Sequence, residues 1–321
     1  MSLKLINSEQ VRQSISMKEA ISTMESAFLQ LITGRVQLPL RTPIEISKQN
    51  ALNLTMPAYL EQDDALGLKV VSVFPNNSAK KLPTINGLII LLDAQTGMPK
   101  ALMEAGYLTT LRTGAVSGLA SLYFSHENSS HLAIIGSGSQ AMMQLEAVSA
   151  VRPINQISIW SRNKDNAKEF AIKITGNYEV RCCDTVSQAV KDADIICTAT
   201  SSSEPLIDLQ DLQPHAHINA IGSHNRHMRE ISNDVLDKAI VIVDQLEAAL
   251  AEAGEIIAAI DAHQLNKKSI IEIGEWLTHK NVDYTQCLTL FKSVGLAIQD
   301  ISVAERVYQN AINQGLDLRE F

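Results

Sequence analysis

His131-Leu132-Ala133-Ile134-Ile135-Gly136-Ser137-Gly138-Ser139-Gln140-Ala141 runs an apolar stretch into a glycine-rich turn and out into helical spacing. The turn fits GxGxxA. The first glycine permits a tight bend, the second lets backbone approach a pyrophosphate, and the small third position lets helix pack on strand. The helix N-terminus then faces the phosphates. Alone the motif is weak. Here it lies between a strand pattern and a helix pattern, the context that gives it meaning.

Downstream, the alternation continues. Ile154 to Trp160 reads as a strand, Asp165 to Ile174 as a helix, Tyr178 to Cys182 as a strand and Val186 to Lys191 as a helix. Asp194 to Ala199, His217 to Ile221 and Ile240 to Asp244 supply further strands. This interval predicts βαβ units and a parallel, doubly wound sheet of Rossmann type. Gly136, Ser137, Gly138, Ser139 and Gln140 are the expected phosphate-facing residues. A dinucleotide domain that prefers NAD usually ends its second strand on an acid. This chain has Trp160-Ser161-Arg162-Asn163 there. Arg can pair bidentately with a 2′-phosphate that a carboxylate would repel, so NADPH is the expected cofactor and NADH the alternative. By pattern, Arg162 also reads as a solvated loop residue. Thr198-Ala199-Thr200 ends a later strand, where such folds line their ligand crevice, or else marks only a strand-to-loop transition.

Upstream the texture differs. Residues 17 to 33 show one apolar helical face, with Gly34 as the stop. Segments around 39–46, 51–59, 66–74 and 85–92 are short and apolar or alternating, and predict a mostly antiparallel sheet. Asp93-Ala94-Gln95-Thr96-Gly97 reads as a tight connection. Helical patterns cover about 106–124 and the tail near 291–313.

At 321 residues the chain is long enough for two domains. Its 27 basic and 35 acidic residues give a net charge of −8, which disfavours nucleic acid as a partner. Cys182, Cys183, Cys197 and Cys287 form no CxxC pair, so neither a metal site nor a disulfide framework is expected. The N-terminus has no signal-peptide pattern, and the longest apolar runs, such as Leu88 to Leu92, are too short for a bilayer. A cytoplasmic protein without membrane contact is the expectation.

Arg41, Lys69 and Arg112 each lie in or beside an apolar segment. A cation inside a strand is unfavourable unless an anion meets it, and a substrate carboxylate would serve. By pattern alone each cation reads as an outward residue on the polar side of a half-buried element.

Taken in order, further segments shift the weight. Leu40-Arg41-Thr42, Met56-Pro57-Ala58-Tyr59, Leu68-Lys69-Val70 and Leu111-Arg112-Thr113-Gly114-Ala115 precede the glycine turn. Asn219-Ala220-Ile221-Gly222-Ser223, Asp244 to Leu250 and Phe291-Lys292-Ser293-Val294-Gly295 follow it. Over nearly its whole length the chain resembles the ornithine cyclodeaminase/mu-crystallin family. The resemblance implies a substrate-binding and dimerisation domain of residues 1–113, with a C-terminal helix 296–321 returning to it. It implies an NAD(P)-binding Rossmann domain of residues 114–295, and a homodimer. It makes Arg41 and Arg112 holders of the substrate carboxylate and sets Lys69 beside the reacting carbon as the catalytic residue. It also brings Arg112, Thr113, Ser223, His224 and Ser293 to the cofactor, alongside Trp160, Ser161, Arg162, Asn163, Thr198, Ala199 and Thr200.

One departure narrows the activity. Cyclodeaminases and related alanine dehydrogenases carry an Asp just after the small pair matching Gly222-Ser223; here the position is His224. The ketimine reductases of the family also lack that Asp. The expected activity is therefore NADPH-dependent reduction of a cyclic imino acid, Δ1-pyrroline-2-carboxylate or Δ1-piperideine-2-carboxylate, to L-proline or L-pipecolate. The alternatives are an ornithine cyclodeaminase or alanine dehydrogenase-like enzyme, and a non-enzymatic NADPH-bound protein.

Overall fold

A computed structural model describes residues 2–280 and 282–321. The chain divides into two compact units, Met1–Arg112 with Leu296–Phe321, and Thr113–Gly295.

The first unit opens with β1 (Lys4–Ile6), α1 (Ser8–Ser14) and α2 (Met17–Ile32). Both helices start on reciprocal capping boxes, Asn7 with Gln10 and Ser16 with Glu19. Such caps satisfy backbone donors that the first turn leaves free. The strands β2 (Val36–Gln37), β3 (Thr42–Ile46), β4 (Ala51–Leu60), β5 (Ala65–Val73), β6 (Ile85–Asp93) and β7 (Pro99–Glu104) follow. They form a sheet of order β16-β1-β7-β6-β5-β4-β2, with β3 also on β4. All its pairs are antiparallel except β1 with β7. Between β6 and β7, the Asp93 carboxylate accepts from the Gln95 and Thr96 amides and the Thr96 hydroxyl, which builds the tight connection the sequence suggests.

α3 (Ala105–Phe124) carries the chain into the second unit. There follow β8 (His131–Ile135), α4 (Ser139–Val151), β9 (Gln156–Trp160), α5 (Lys164–Lys173), β10 (Glu179–Cys182), α6 (Val186–Val190), β11 (Ile195–Thr198) and β12 (His217–Ala220). α7 (Asn233–Lys238), β13 (Ile240–Val243), α8 (Leu246–Glu252), α9 (Gly254–Asp261), β14 (Ile271–Glu272), α10 (Ile273–His279) and β15 (Thr289–Lys292) complete it. The sheet order is β10-β9-β8-β11-β12-β15-β13-β14, and every pairing is parallel. β8, β11, β12 and β15 are buried at every residue, because helices cover both faces of such a sheet. Leu132, Ile134, Leu145, Val148, Ile157, Ile159, Phe170 and Ile195 form one apolar cluster between sheet and helices. The chain moves from β8 to β9 on one side and to β11 on the other. That reversal is the switch point where open α/β sheets bind ligands.

α11 (Ala297–Asn313) and β16 (Arg319–Glu320) return to the first unit. α11 packs on β4, β5 and β6 and against α2. Here the structure corrects the sequence reading: residues 289–292 are a strand, and the helix begins only at Ala297. A fully buried strand such as Thr289–Lys292 lacks the period-2 alternation that would separate it from the helix behind it. The segment read as a strand over 39–46 is also shorter, since Pro39, Leu40 and Arg41 precede β3. Among the described residues no helix is long and apolar enough to cross a membrane.

Candidate functional site

In the second unit the glycine turn behaves as its sequence demands. Gly136 has φ of 116°, a conformation that favours glycine, and an added Cβ would lie 2.5 Å from the Ala199 carbonyl oxygen. Gly138 is the N-cap of α4 and offers no side-chain cap, so the Ser139 and Gln140 amides that open the helix keep their donors for another acceptor. A Cβ at Gly138 would meet nothing within 4 Å. That open space belongs to a cavity of about 290 Å³ lined by Gly136, Ser137, Gly138, Trp160, Ser161, Arg162, Ala199 and Thr200. Asn166, Ser201, Ser202 and Leu206 also line it and were not anticipated. A helix N-terminus with uncommitted amides, a side-chain-free approach and an adjoining cationic Arg162 fit a dinucleotide. The Ser137 hydroxyl donates to that of Ser161 at 2.9 Å, tying the turn to the end of β9.

Other expected cofactor residues are placed differently. Ser139 opens α4. The side-chain carbonyl of Gln140 is buried without a hydrogen-bond partner among the described residues. Asn163 caps α5 by accepting from the Asp165 amide at 2.9 Å. Thr113 is buried within α3, its carbonyl 3.4 Å from the Gln144 amide nitrogen that donates to it. The Ser293 hydroxyl donates to Asp244 at 2.8 Å, and the same carboxylate oxygen accepts from the Val294 and Gly295 amides at 3.0 Å. His224 is exposed, its Nδ1 lying 3.0 Å from the Gly222 carbonyl.

The ends of β11 and β12 are fastened by Glu230, fully buried and not anticipated. Its carboxyl accepts from Thr198 Oγ1 (2.8 Å), from Thr200 N and Oγ1 (both 2.7 Å), and from the amides of Gly222 (2.8 Å) and Ser223 (3.2 Å). Gly222 is packed so closely that a Cβ would stand 2.4 Å from Glu230 Oε1 and from the Thr200 carbonyl oxygen. Burial pushes the Glu230 carboxyl above the usual carboxylate range, against the pull of Lys292. Beside it, Lys292 pairs with Glu255 at 3.2 Å and donates to the carbonyls of Ala220 (3.1 Å) and Ser223 (2.5 Å). The Ser223 hydroxyl donates to Glu255.

In the first unit, Lys69 lies mid-strand in β5, opposite Met56 of β4 and Ile89 of β6, on the face that α11 covers. It and Arg112 are buried, at 2% and 7% exposure, not turned outward as pattern alone suggests. Arg41 is half-buried. Both buried cations meet Asp300. Lys69 Nζ is 2.5 Å from its Oδ2, and Arg112 Nε is 2.9 Å from its Oδ1. Arg112 Nη1 also donates to Gln299 Oε1 at 2.6 Å. Neither contact uses the Nη2 amino group, whose donors remain for another acceptor.

Burial lowers the Lys69 pKa to about 8; Asp300 opposes that shift, and Arg112 and Arg41 add to it. Burial raises the Asp300 carboxyl, but Arg112 and Lys69 outweigh it and hold the group below its ordinary value. The cluster carries more cationic than anionic groups and so favours a further anion. Asp300 and Gln299 were not anticipated. For Asp300 a signal exists: it falls on the stripe of Ala297, Ile301, Ala304 and Val307, where a charged residue interrupts a core face. Glu230 lies in a coil without periodicity, so the sequence carries no comparable signal.

The family model described as ornithine cyclodeaminase/mu-crystallin matches residues 3–315. A Δ1-pyrroline-2-carboxylate reductase of Bacillus cereus is 36% identical over 321 residues, covering 98% of each chain. The structure of the Thermococcus litoralis Δ1-pyrroline-2-carboxylate reductase, in complex with NADH and L-proline, is 37% identical with a TM-score of 0.95. It covers 99% of this chain and 100% of that one. An archaeal alanine dehydrogenase dimer with bound NAD is 34% identical with a TM-score of 0.91, over the whole of both chains.

Proposed function

Because the chain belongs to the ornithine cyclodeaminase/mu-crystallin family, we propose that it is an oxidoreductase acting on the C=N bond of a cyclic imino acid. Its substrates are Δ1-pyrroline-2-carboxylate and Δ1-piperideine-2-carboxylate, reduced to L-proline and L-pipecolate. The observation that carries the reading is the buried pairing of Lys69 and Arg112 on the single carboxylate of Asp300, with Arg41 nearby. This excess of positive charge suits an α-imino carboxylate. Relatives that act on Δ1-pyrroline-2-carboxylate support the choice of substrate.

The substrate carboxylate docks on Arg41 and on the uncommitted Nη2 donors of Arg112, which fixes the imine carbon in place. Lys69, with a pKa of about 8, holds a proton at neutral pH and releases it readily, as a general acid should. It delivers that proton to the ring nitrogen. The bound nicotinamide supplies the hydride. One hydride on carbon and one proton on nitrogen convert C=N to CH–NH.

The cofactor is held at Gly136, Ser137, Gly138 and the α4 N-terminus, with Trp160, Ser161, Arg162, Ala199 and Thr200 around it. NADPH is the preferred form, since β9 ends without an acid and Arg162 lines the cavity. The cyclodeaminase alternative loses support. Glu230, the acid within the Gly222–Glu230 turn, is buried on protein donors, so it does not replace the Asp whose position His224 occupies.

The protein assembles as a homodimer through the sheet face opposite α11. There Leu66, Leu68, Val70, Ile90 and Leu102 are only half-buried and Leu88 is 47% exposed. Its four cysteines are free, as suits a cytoplasmic protein. The test of the reaction is NADPH and NADH oxidation against five- and six-membered cyclic imino acids. Turnover of either ring supports the reading, and no turnover of both removes it.

A further inference from the structure

Asp300 is fully buried on the core face of α11. A buried ion pair is weak evidence of stability, because apolar residues of similar volume often serve a fold as well or better. Its geometry says more. The two carboxylate oxygens are divided between cations from different elements, Lys69 of β5 on Oδ2 and Arg112 of α3 on Oδ1. One rigid carboxylate thus fixes the separation between an ammonium and a guanidinium. Gln299, the preceding residue, takes Arg112 Nη1, so the planar fork is pinned at two of its nitrogens, Nε and Nη1.

We propose that Asp300 is a positioning residue of the reaction: it keeps Lys69 as an ammonium and sets it at a fixed place beside the Arg112 fork. The inference rests on the reading of this cluster as the site of imine reduction. The charged groups facing Lys69 are Asp300 from α11, Arg112 from α3 and Arg41 from the segment before β3. Of these only Asp300 favours the ammonium; burial and both arginines disfavour it. With Asp300 neutral, Lys69 must lose its proton at lower pH.

Asp300→Asn keeps the shape and removes the charge. Lys69 titration is followed by NMR on protein carrying labelled lysine, its signal assigned by loss in Lys69→Met. The midpoint near 8 in the parent protein moves down by about one to three pH units in Asp300→Asn. The alkaline limb of kcat/KM for the cyclic imine moves down with it, while NADPH affinity stays the same. A uniform loss of activity at all pH values, with the Lys69 midpoint unmoved, would overturn the proposal.

Should Asp300→Asn not fold, Asp300→Glu decides. It keeps the charge but displaces both cations, so kcat falls roughly tenfold to a hundredfold while the alkaline limb stays near its parent position. Unchanged kcat in a folded Asp300→Glu protein overturns the positioning role. The NMR titration needs no turnover. Failure of the parent protein to reduce any cyclic imine therefore refutes the reaction separately from the role of Asp300.

Discussion

Lys69 in β5 and Lys292 in β15 are both buried strand lysines, with side chains 3% and 0% exposed. Each lies against a carboxylate, Asp300 at 2.5 Å and Glu255 at 3.2 Å. The surroundings differ in what they leave over. Around Lys69 the cations outnumber the carboxylates, and the Nη2 donors of Arg112 stay uncommitted. Around Lys292 there are two carboxyl groups, Glu255 and Glu230: Glu230 accepts from backbone amides and the hydroxyls of Thr198 and Thr200, while Glu255 accepts from the Ser223 hydroxyl and pairs with the lysine. The Lys292 donors go in turn to two carbonyls. A buried charge cluster whose carboxylates are met by protein donors and a lysine organises a fold; one with cations in excess and a guanidinium nitrogen uncommitted awaits a ligand.

That contrast is sharpened by removing each lysine. Lys69→Met lowers imine turnover by about 10²- to 10⁴-fold, the usual loss with a proton donor, while NADPH titration shows unchanged affinity. Lys292→Met leaves Glu255 buried without its cation and costs about 3–5 kcal/mol of stability, read as a lowered denaturant midpoint. If Lys292→Met were as stable as the parent and Lys69→Met as active, the division between the clusters would collapse. A milder effect belongs to the cofactor cavity. Arg162→Ala raises KM for NADPH by about ten- to a hundredfold, the loss of a charge-assisted contact, and leaves KM for NADH nearly unchanged. Equal changes for both cofactors would remove Arg162 from 2′-phosphate recognition. The smallest effect is in pH dependence. Activity should decline as pH rises through about 8, where Lys69 gives up its proton, and a flat profile to pH 9.5 or so would deny it that role.

The two clusters also differ in how far they could be read from sequence. The parallel sheet around β8 was legible because a buried strand, GxGxxA and a helix follow one another without interruption. Lys69 and Arg112 were visible only as cations within apolar segments, and their inward direction depends on strand and helix packing that a single segment does not encode. Asp300 was legible in principle, as an acid on an apolar helical stripe. It was obscured because the buried strand Thr289–Lys292 merges into the helical pattern of the tail. Glu230 and Glu255 gain their roles from six donors and one lysine brought together by the β11, β12 and β15 ends, an arrangement without local periodicity.

The central claim is that the cationic cluster of the first unit serves the reduction of a cyclic imino acid. It is tested most directly by supplying one enzyme preparation with Δ1-pyrroline-2-carboxylate or Δ1-piperideine-2-carboxylate plus NADPH, and separately with ornithine plus NAD, and quantifying proline, pipecolate and ammonia. The account predicts stoichiometric loss of NADPH with formation of proline or pipecolate, and no ammonia from ornithine. Proline and ammonia from ornithine, with no reduction of either imine, would contradict it.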